Sequence, residues 1–333
     1  MNKVFCFGEL MLRFSPHLEG KWLKDSVMPV YAGGAELNVS IALARWNQPV
    51  MYCTALPENY LSHEILNSLQ QKNIDVSAVI FSGTRIGTYY LPQGADLKNT
   101  GVIYDRAFSS FAELQPGQID WDTVLSEVKW FHFSAINPAL GKNAAIVCRE
   151  ALEVAAKKNI VISVDLNYRP KLWQYGEAPS AIMPELVQYC KIVMGNVWAA
   201  ETMLNIPVNI RDKTNKSDCL QQAMATSQAI CHKFPRCSQV ANTFRFDQHN
   251  GILYYATLFN DNELFVSGEK QTDQVIDQVG SGDCFMAGLI YGNMKDQAPQ
   301  EIIDFAAAAA FNKLFIKGDV TTSSVDEIKN FKS

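Results

Sequence analysis

Several absences narrow the reading of this 333-residue chain before any motif is weighed. It holds no run of about 18 apolar residues, so no membrane-spanning helix is expected. The start, Met1 to Glu9, meets a charge too early for a signal peptide, and a cytoplasmic protein is expected. The eight cysteines, at 6, 53, 148, 190, 219, 231, 237 and 284, include no C-x-x-C pair, which favours reduced thiols over a disulfide framework or a zinc site. A net charge of -5 without a basic cluster argues against nucleic acid or a membrane surface as partner. Small molecules are the expected ligands. Neither G-x-x-x-x-G-K-[ST] nor a G-x-G-x-x-G after the first strand is present, which sets aside the P-loop and dinucleotide folds.

Apolar residues, by contrast, make up 48% of the chain, ample for a large core. Short β-rich runs, 4–7, 50–55, 130–134, 161–165, 192–194 and 239–243, alternate with helical patterns. The helical patterns cover 35–46, 64–72, 143–158, 217–232, 283–294 and 299–315. Such alternation implies βαβ units, a mostly parallel sheet covered on both faces, and therefore an α/β fold. Two stretches break the rhythm, 10–31 and 83–106, the second as a hairpin around Gln93 to Asn99. They are expected to form a small separate sheet, a lid, within a single domain spanning 1–333.

The stretch Asp277-Gln278-Val279-Gly280-Ser281-Gly282-Asp283 leads into an apolar helix. Glycines on either side of a serine let backbone N–H groups turn onto an anion, and the helix dipole adds to the attraction. With other phosphate motifs absent, this turn is the candidate phosphate site. Asp283 places a carboxylate there, a poor choice for binding an anion but a sound one for taking a hydroxyl proton during phosphoryl transfer.

Three further groups invite a functional reading beside a plainer one. Gly33-Gly34 precedes a helix carrying Asn38 one turn in; the pair serves equally a ligand's close approach or a tight loop. Asp165, Asn167 and Arg169 follow an apolar strand at its carboxyl end, where open α/β sheets bind ligands. Extended backbone would point all three one way, and a structural ion pair is the alternative. Arg106, near Tyr89 and Tyr104 in the lid, either pairs with Asp105 or another surface acid or forks onto a substrate carboxylate.

Taken in order over almost the full length, these motifs resemble the ribokinase-like (PfkB) sugar kinases. Within that group the chain is most similar to 2-keto-3-deoxygluconate kinases, through Asp165 to Trp173, Tyr104-Asp105-Arg106, His132 to Leu140 and Gly318-Asp319. The resemblance implies a three-layer α/β/α core with a small β-sheet lid, ATP as phosphoryl donor, and Mg2+ riding on its phosphates. It implies Asp283 as base and the amides of Gly280, Ser281 and Gly282 as anion hole. For the sugar acid it implies Gly34, Asn38, Tyr89, Tyr104, Arg106, Ile136, Arg169 and Asp319, and for the nucleotide Asn167, with Thr243 and Arg245 nearby. Some relatives hold a monovalent cation near Asp277, so K+ is a candidate cofactor, and a homo-oligomer through the lid is a candidate assembly.

Three departures stand out. Ser281 replaces the family's usual alanine, a change that leaves the backbone donors in place. The N-x-x-E element that organises metal and phosphates is altered, with Asn196 and Glu201 separated by four residues. The usual glycine-rich nucleotide strand ending is replaced by Val240 to Asp247. The expected reaction is transfer of a phosphoryl group from ATP to the terminal hydroxyl of 2-keto-3-deoxygluconate. A neutral ketose such as fructose is the alternative substrate, and a non-catalytic sugar or nucleotide sensor the alternative class.

Overall fold

Alternation along the first strand, Lys3–Phe7, sets up the layers. Val4 and Cys6 enter one apolar cluster while Phe5 and Phe7 enter another, as the two-residue period of a strand demands. The first cluster draws in helices Ala35–Arg45, Ser281–Met294 and Pro299–Lys313; the second draws in Lys142–Lys157, Pro179–Val187 and Val197–Leu204. Two apolar faces on one sheet give a helix–sheet–helix sandwich, the three-layer arrangement expected. The computed structural model describes residues 3–17, 22, 27–92, 101–210, 215–248 and 251–331.

The main sheet has ten strands. In space they run Glu263–Val266, Gly251–Asn260, Gln239–Gln248, Ile192–Gly195, Val161–Asp165, Val128–Ser134, Lys3–Phe7, Val50–Cys53 and Ile74–Asp75, with Lys270–Thr272 paired to Gly251–Asn260. All pairings from Gln239–Gln248 to Ile74–Asp75 are parallel, and the other edge is antiparallel. Lys3–Phe7 lies between strands that come next and strands that come much later, so the order reverses beside it. Carboxyl ends flanking such a switch point leave a crevice for ligands.

One expectation changes here. The strand expected to end at Thr243 continues to Gln248 and pairs along its length with Gly251–Asn260. Phe244 faces Tyr255 across that pair with ring centroids 5.0 Å apart, a cross-strand aromatic contact that extends the hairpin beyond the apolar run. The alanines 306, 307, 309 and 310 are buried in the same cluster as the Ser281–Met294 helix, so they serve close helix packing.

The irregular stretches do form a second sheet. Its four strands run Val30–Gly33, Met11–Phe14, Gly87–Tyr90 and Ile103–Asp105 in space. Tyr89 pairs with Tyr104 in antiparallel register, while the turn expected at Gln93 to Asn99 lies outside the described residues. All eight cysteines are free thiols. Among the described residues no helix is long and apolar enough to cross a membrane.

Candidate active site

The Gly280–Asp283 turn opens the helix Ser281–Met294, and its geometry depends on glycine. Gly280 has φ 81, and a Cβ there would lie 1.8 Å from the Asp319 carbonyl oxygen. Only a residue without a side chain fits such a left-handed, crowded position. The first intrahelical bond is from the Cys284 N–H to the Gly280 carbonyl, so the N–H groups of Gly282 and Asp283 before it have no helical acceptor. The Ser281 N–H makes a long 3.4 Å contact with Gln278 O, and its hydroxyl donates to Ala310 O at 2.9 Å. The serine is thereby tied down on the side away from the turn's donors.

Asp283 is half-buried on the wall of a cavity of ≈ 550 Å³. Asn38 Nδ2 donates to Asp283 Oδ2 at 2.7 Å, joining the start of the first helix to that of the glycine-turn helix. Burial lifts the Asp283 carboxyl to about 8. The Asn38 bond and Arg169 oppose that rise, while the neighbouring carboxyls of Asp165 and Glu36 add to it. Asn38 Oδ1 is buried without a hydrogen-bond partner. Gly34 caps the Asn38 helix at φ 151, and a Cβ there would stand 2.2 Å from Glu9 O, so this glycine permits close packing of chain on chain.

The strand Val161–Asp165 delivers Asp165, Asn167 and Arg169 to the same cavity, by a route other than the expected extended alternation. The strand ends at Asp165, whose Oδ1 accepts the Asn167 N–H at 3.0 Å, and Asn167 takes φ 21. An Asx turn redirects the chain. Lys171 also lines the cavity, and its Nζ donates to Val102 O of the lid at 3.1 Å.

Tyr89, Tyr104 and Arg106 come from the lid and line the cavity, as does Ile136 from the loop after Val128–Ser134. Arg106 is paired, with a buried acid in place of the surface one expected: its Nε donates to Glu9 Oε2 at 2.8 Å, and its Nη2 bonds the same oxygen. Both side chains are buried, and Asp105 pairs instead with Arg85. Much of the Arg106 charge is therefore spent inside the protein.

Asp319 and Asp277 require correction. Neither is among the residues lining the cavity. Arg13, from the lid strand Met11–Phe14, donates through Nε to Asp319 Oδ1 at 2.7 Å and through Nη2 to Asp277 Oδ2 at 3.0 Å. Tyr89 Oη donates to Asp319 Oδ2 at 3.2 Å, and the N–H groups of Gly318 and Val279 donate to the two oxygens of Asp277. All three charged groups are buried. Asp319 thus acts on Tyr89 and Arg13 rather than reaching the cavity, and Asp277 is a partner for Arg13 rather than an open cation seat.

On the remaining wall stand Asn196, Thr243 and Arg245, the last two at alternate positions of one strand. The Asn196 side chain caps the Val197–Leu204 helix by accepting the Ala199 N–H at 2.8 Å. Glu201 is not a lining residue, and Ala199 occupies the position where N-x-x-E would place its glutamate. No group of three or more metal-ligating side chains exists among the described residues. Mg2+ asks for less, since it keeps several waters and takes one or two carboxylates plus substrate phosphates. Asp165 and Asp283 on the wall fit an ion that arrives with a nucleotide.

Sequence reasoning missed Glu9, Arg13 and Lys313. The first two follow the opening strand and gave one usable signal, charged residues embedded in apolar runs. Lys313 sits in an amphipathic-looking helix end and gave none.

Comparison with known proteins bears on the family and the fold. The sequence profile of the pfkB family carbohydrate kinases matches residues 1–321. The crystal structure of 2-dehydro-3-deoxygluconokinase from Thermotoga maritima superposes with a TM-score of 0.89 at 31% identity, covering 99% of this chain and 98% of the other. A 2-dehydro-3-deoxygalactonokinase from Haloferax volcanii is 25% identical over 98% of this chain and 95% of its own. A fructokinase with bound ATP from Xylella fastidiosa shares the fold, with a TM-score of 0.76 at 18% identity over 98% of this chain and 97% of that one.

Proposed function

The chain belongs to the pfkB family of carbohydrate kinases, and from that premise we propose that it phosphorylates the terminal hydroxyl of a 2-keto-3-deoxy sugar acid, 2-keto-3-deoxygluconate first among them. The observation that carries the proposal is the Asp283 carboxylate, bonded to Asn38 in the first turn of a helix whose leading N–H groups are open. The sugar hydroxyl oxygen bonds the γ-phosphorus of ATP as the bond to the β-bridging oxygen breaks. Its proton passes to Asp283, and ADP leaves. The amides of Gly280, Ser281 and Gly282 stabilise charge on the group in flight. Asp165, at the end of its strand, Asn196, just past the end of the neighbouring one, and Asp283 would hold the water shell of Mg2+, which would supply neutralisation of the phosphate oxygens. Asn38 holds the Asp283 carboxylate in place for the incoming hydroxyl.

Recognition of the acid falls to Arg169, with Lys171 beside it. Arg106, its charge largely taken by Glu9, positions the lid strand and presents its remaining edge to the sugar. The names of the Thermotoga and Haloferax relatives support a sugar acid of this class. One observation favours a neutral ketose instead, namely the Glu9 carboxylate that cancels Arg106. ATP-dependent phosphorylation across 2-keto-3-deoxygluconate, its galacto epimer, fructose and ribose decides. The proposal expects turnover of the two sugar acids; turnover of fructose alone sinks it.

A further inference from the structure

Beneath the glycine turn, outside the cavity, lies a cluster of four charged side chains that the phosphoryl-transfer chemistry does not use directly: Arg13, Lys313, Asp277 and Asp319. Lys313 has no exposed surface, and its Nζ donates to the Ile316 carbonyl at 2.9 Å. Its Cε comes within 3.5 Å of the point where a Gly280 Cβ would stand. An ammonium this deep is costly unless opposed by negative charge. Burial pulls Lys313 below its ordinary range while Asp277 and Asp319 push it back up. Arg13 bonds both aspartates.

A monovalent cation at Asp277, as the family resemblance suggests, would need carboxylate and carbonyl oxygens open to it. Here one Asp277 oxygen accepts from Arg13 and Gly318, the other accepts from Val279, and the Ile316 carbonyl accepts from Lys313. The charge count argues the same way. Two cations and two anions already balance, so a fifth charge would enter the interior uncompensated. We propose that the anion-binding turn of this kinase rests on the fixed side-chain cations Lys313 and Arg13, and that its reaction requires no K+ or other monovalent cation. Lys313 and Arg13 are positioning residues. Arg13 holds Asp277 and Asp319, Lys313 holds the Ile316 carbonyl beneath the Gly280 turn, and their charge lies behind the amides that face the phosphoryl group.

The inference rests on kinase activity and not on the identity of the sugar. Initial rates are measured with whichever sugar is turned over, in KCl, NaCl or tetramethylammonium chloride at constant ionic strength, with the magnesium salt of ATP. Equal kcat in all three is expected, and a saturable, K+-specific rise in kcat overturns the proposal. Thermal unfolding without substrates gives a second reading, so a failure of the sugar assignment is distinguishable. The same midpoint in KCl and tetramethylammonium chloride is expected, and a K+-specific increase overturns the proposal. Lys313→Ala opens a cation-sized hole beside two carboxylates. It should lose about 10- to 100-fold in kcat in tetramethylammonium chloride, less than the loss of a whole oxyanion-site donor, and recover in part with K+ or NH4+. A folded Lys313→Ala with full kcat and no cation response counts against the role of Lys313. Lys313→Met, which keeps the apolar stem, substitutes where the alanine variant does not fold, and the wild-type salt series decides independently of both.

Discussion

Asp283 faces two opposed demands. It must be ionised to accept a proton, yet burial beside Asp165 and Glu36 favours its neutral form. The sign follows directly. A base is active above its pKa, so kcat/KM of the free enzyme should fall as pH drops through about 8. An ordinary carboxylate would show a flat profile over that range. The Asn38 bond favours the ionised form, so Asn38→Ala should move the acidic limb to higher pH as well as weaken sugar binding. An acidic limb near the usual carboxylate value in the wild type would refute this electrostatic reading. Asp283→Asn keeps the shape and removes the base, and it should lower kcat by about 100- to 10,000-fold. Near-normal turnover in that variant would remove Asp283 from the role.

At the scale of the element, the glycine turn and its helix make two contrasting expectations. Gly280→Ala forces a side chain into left-handed backbone, a cost of about 1–2 kcal/mol before any clash. The clash is with Asp319 O, which lies in backbone and cannot swing away. Both a lower unfolding midpoint and a lower kcat should follow. Ser281→Ala removes only a hydroxyl bonded to Ala310 O, a loss of about 0.5–1.5 kcal/mol, and should keep kcat. Equal effects of the two variants on kcat would show that the turn does not depend on its backbone conformation.

The same element shows what was legible in the sequence. Gly280 to Asp283, Gly34 and Asn38 stand in short, local patterns whose chemistry is fixed by the neighbouring residues, so their convergence on one cavity could be read ahead. Asp165, Asn167 and Arg169 reach the cavity through an Asx turn in place of the extended chain expected. Partners were not legible. Glu9 meets Arg106 across 97 residues, and Arg13 meets Asp319 across 306. No local periodicity records which acid a buried arginine will find, and so Asp319 and Asp277 looked like free ligands.

For the whole molecule, those long-range pairs carry the joining of lid and core. Arg13 belongs to the small sheet, whereas Asp277 and Asp319 flank the glycine-turn helix and the helix that follows it. Arg13 is also stacked over Tyr31 of the lid with its guanidinium carbon 4.5 Å from the ring centroid. Removing the guanidinium leaves two carboxylates facing each other in a buried space. Loss of one partner from such a group costs about 3–5 kcal/mol, far more than the intact pair contributes. Arg13→Ala should therefore lower the unfolding midpoint strongly, and the loss should grow as pH rises and Asp319, whose carboxyl burial pushes up, ionises. Adding Asp319→Asn to Arg13→Ala removes one of the unpaired charges and should recover part of the stability, although Asp319→Asn alone is destabilising. Chemical denaturation of the two single variants and the double variant, run at two pH values, measures that coupling. Strictly additive losses would mean that lid and core are held by apolar contact alone, with Arg13 contributing only its packing.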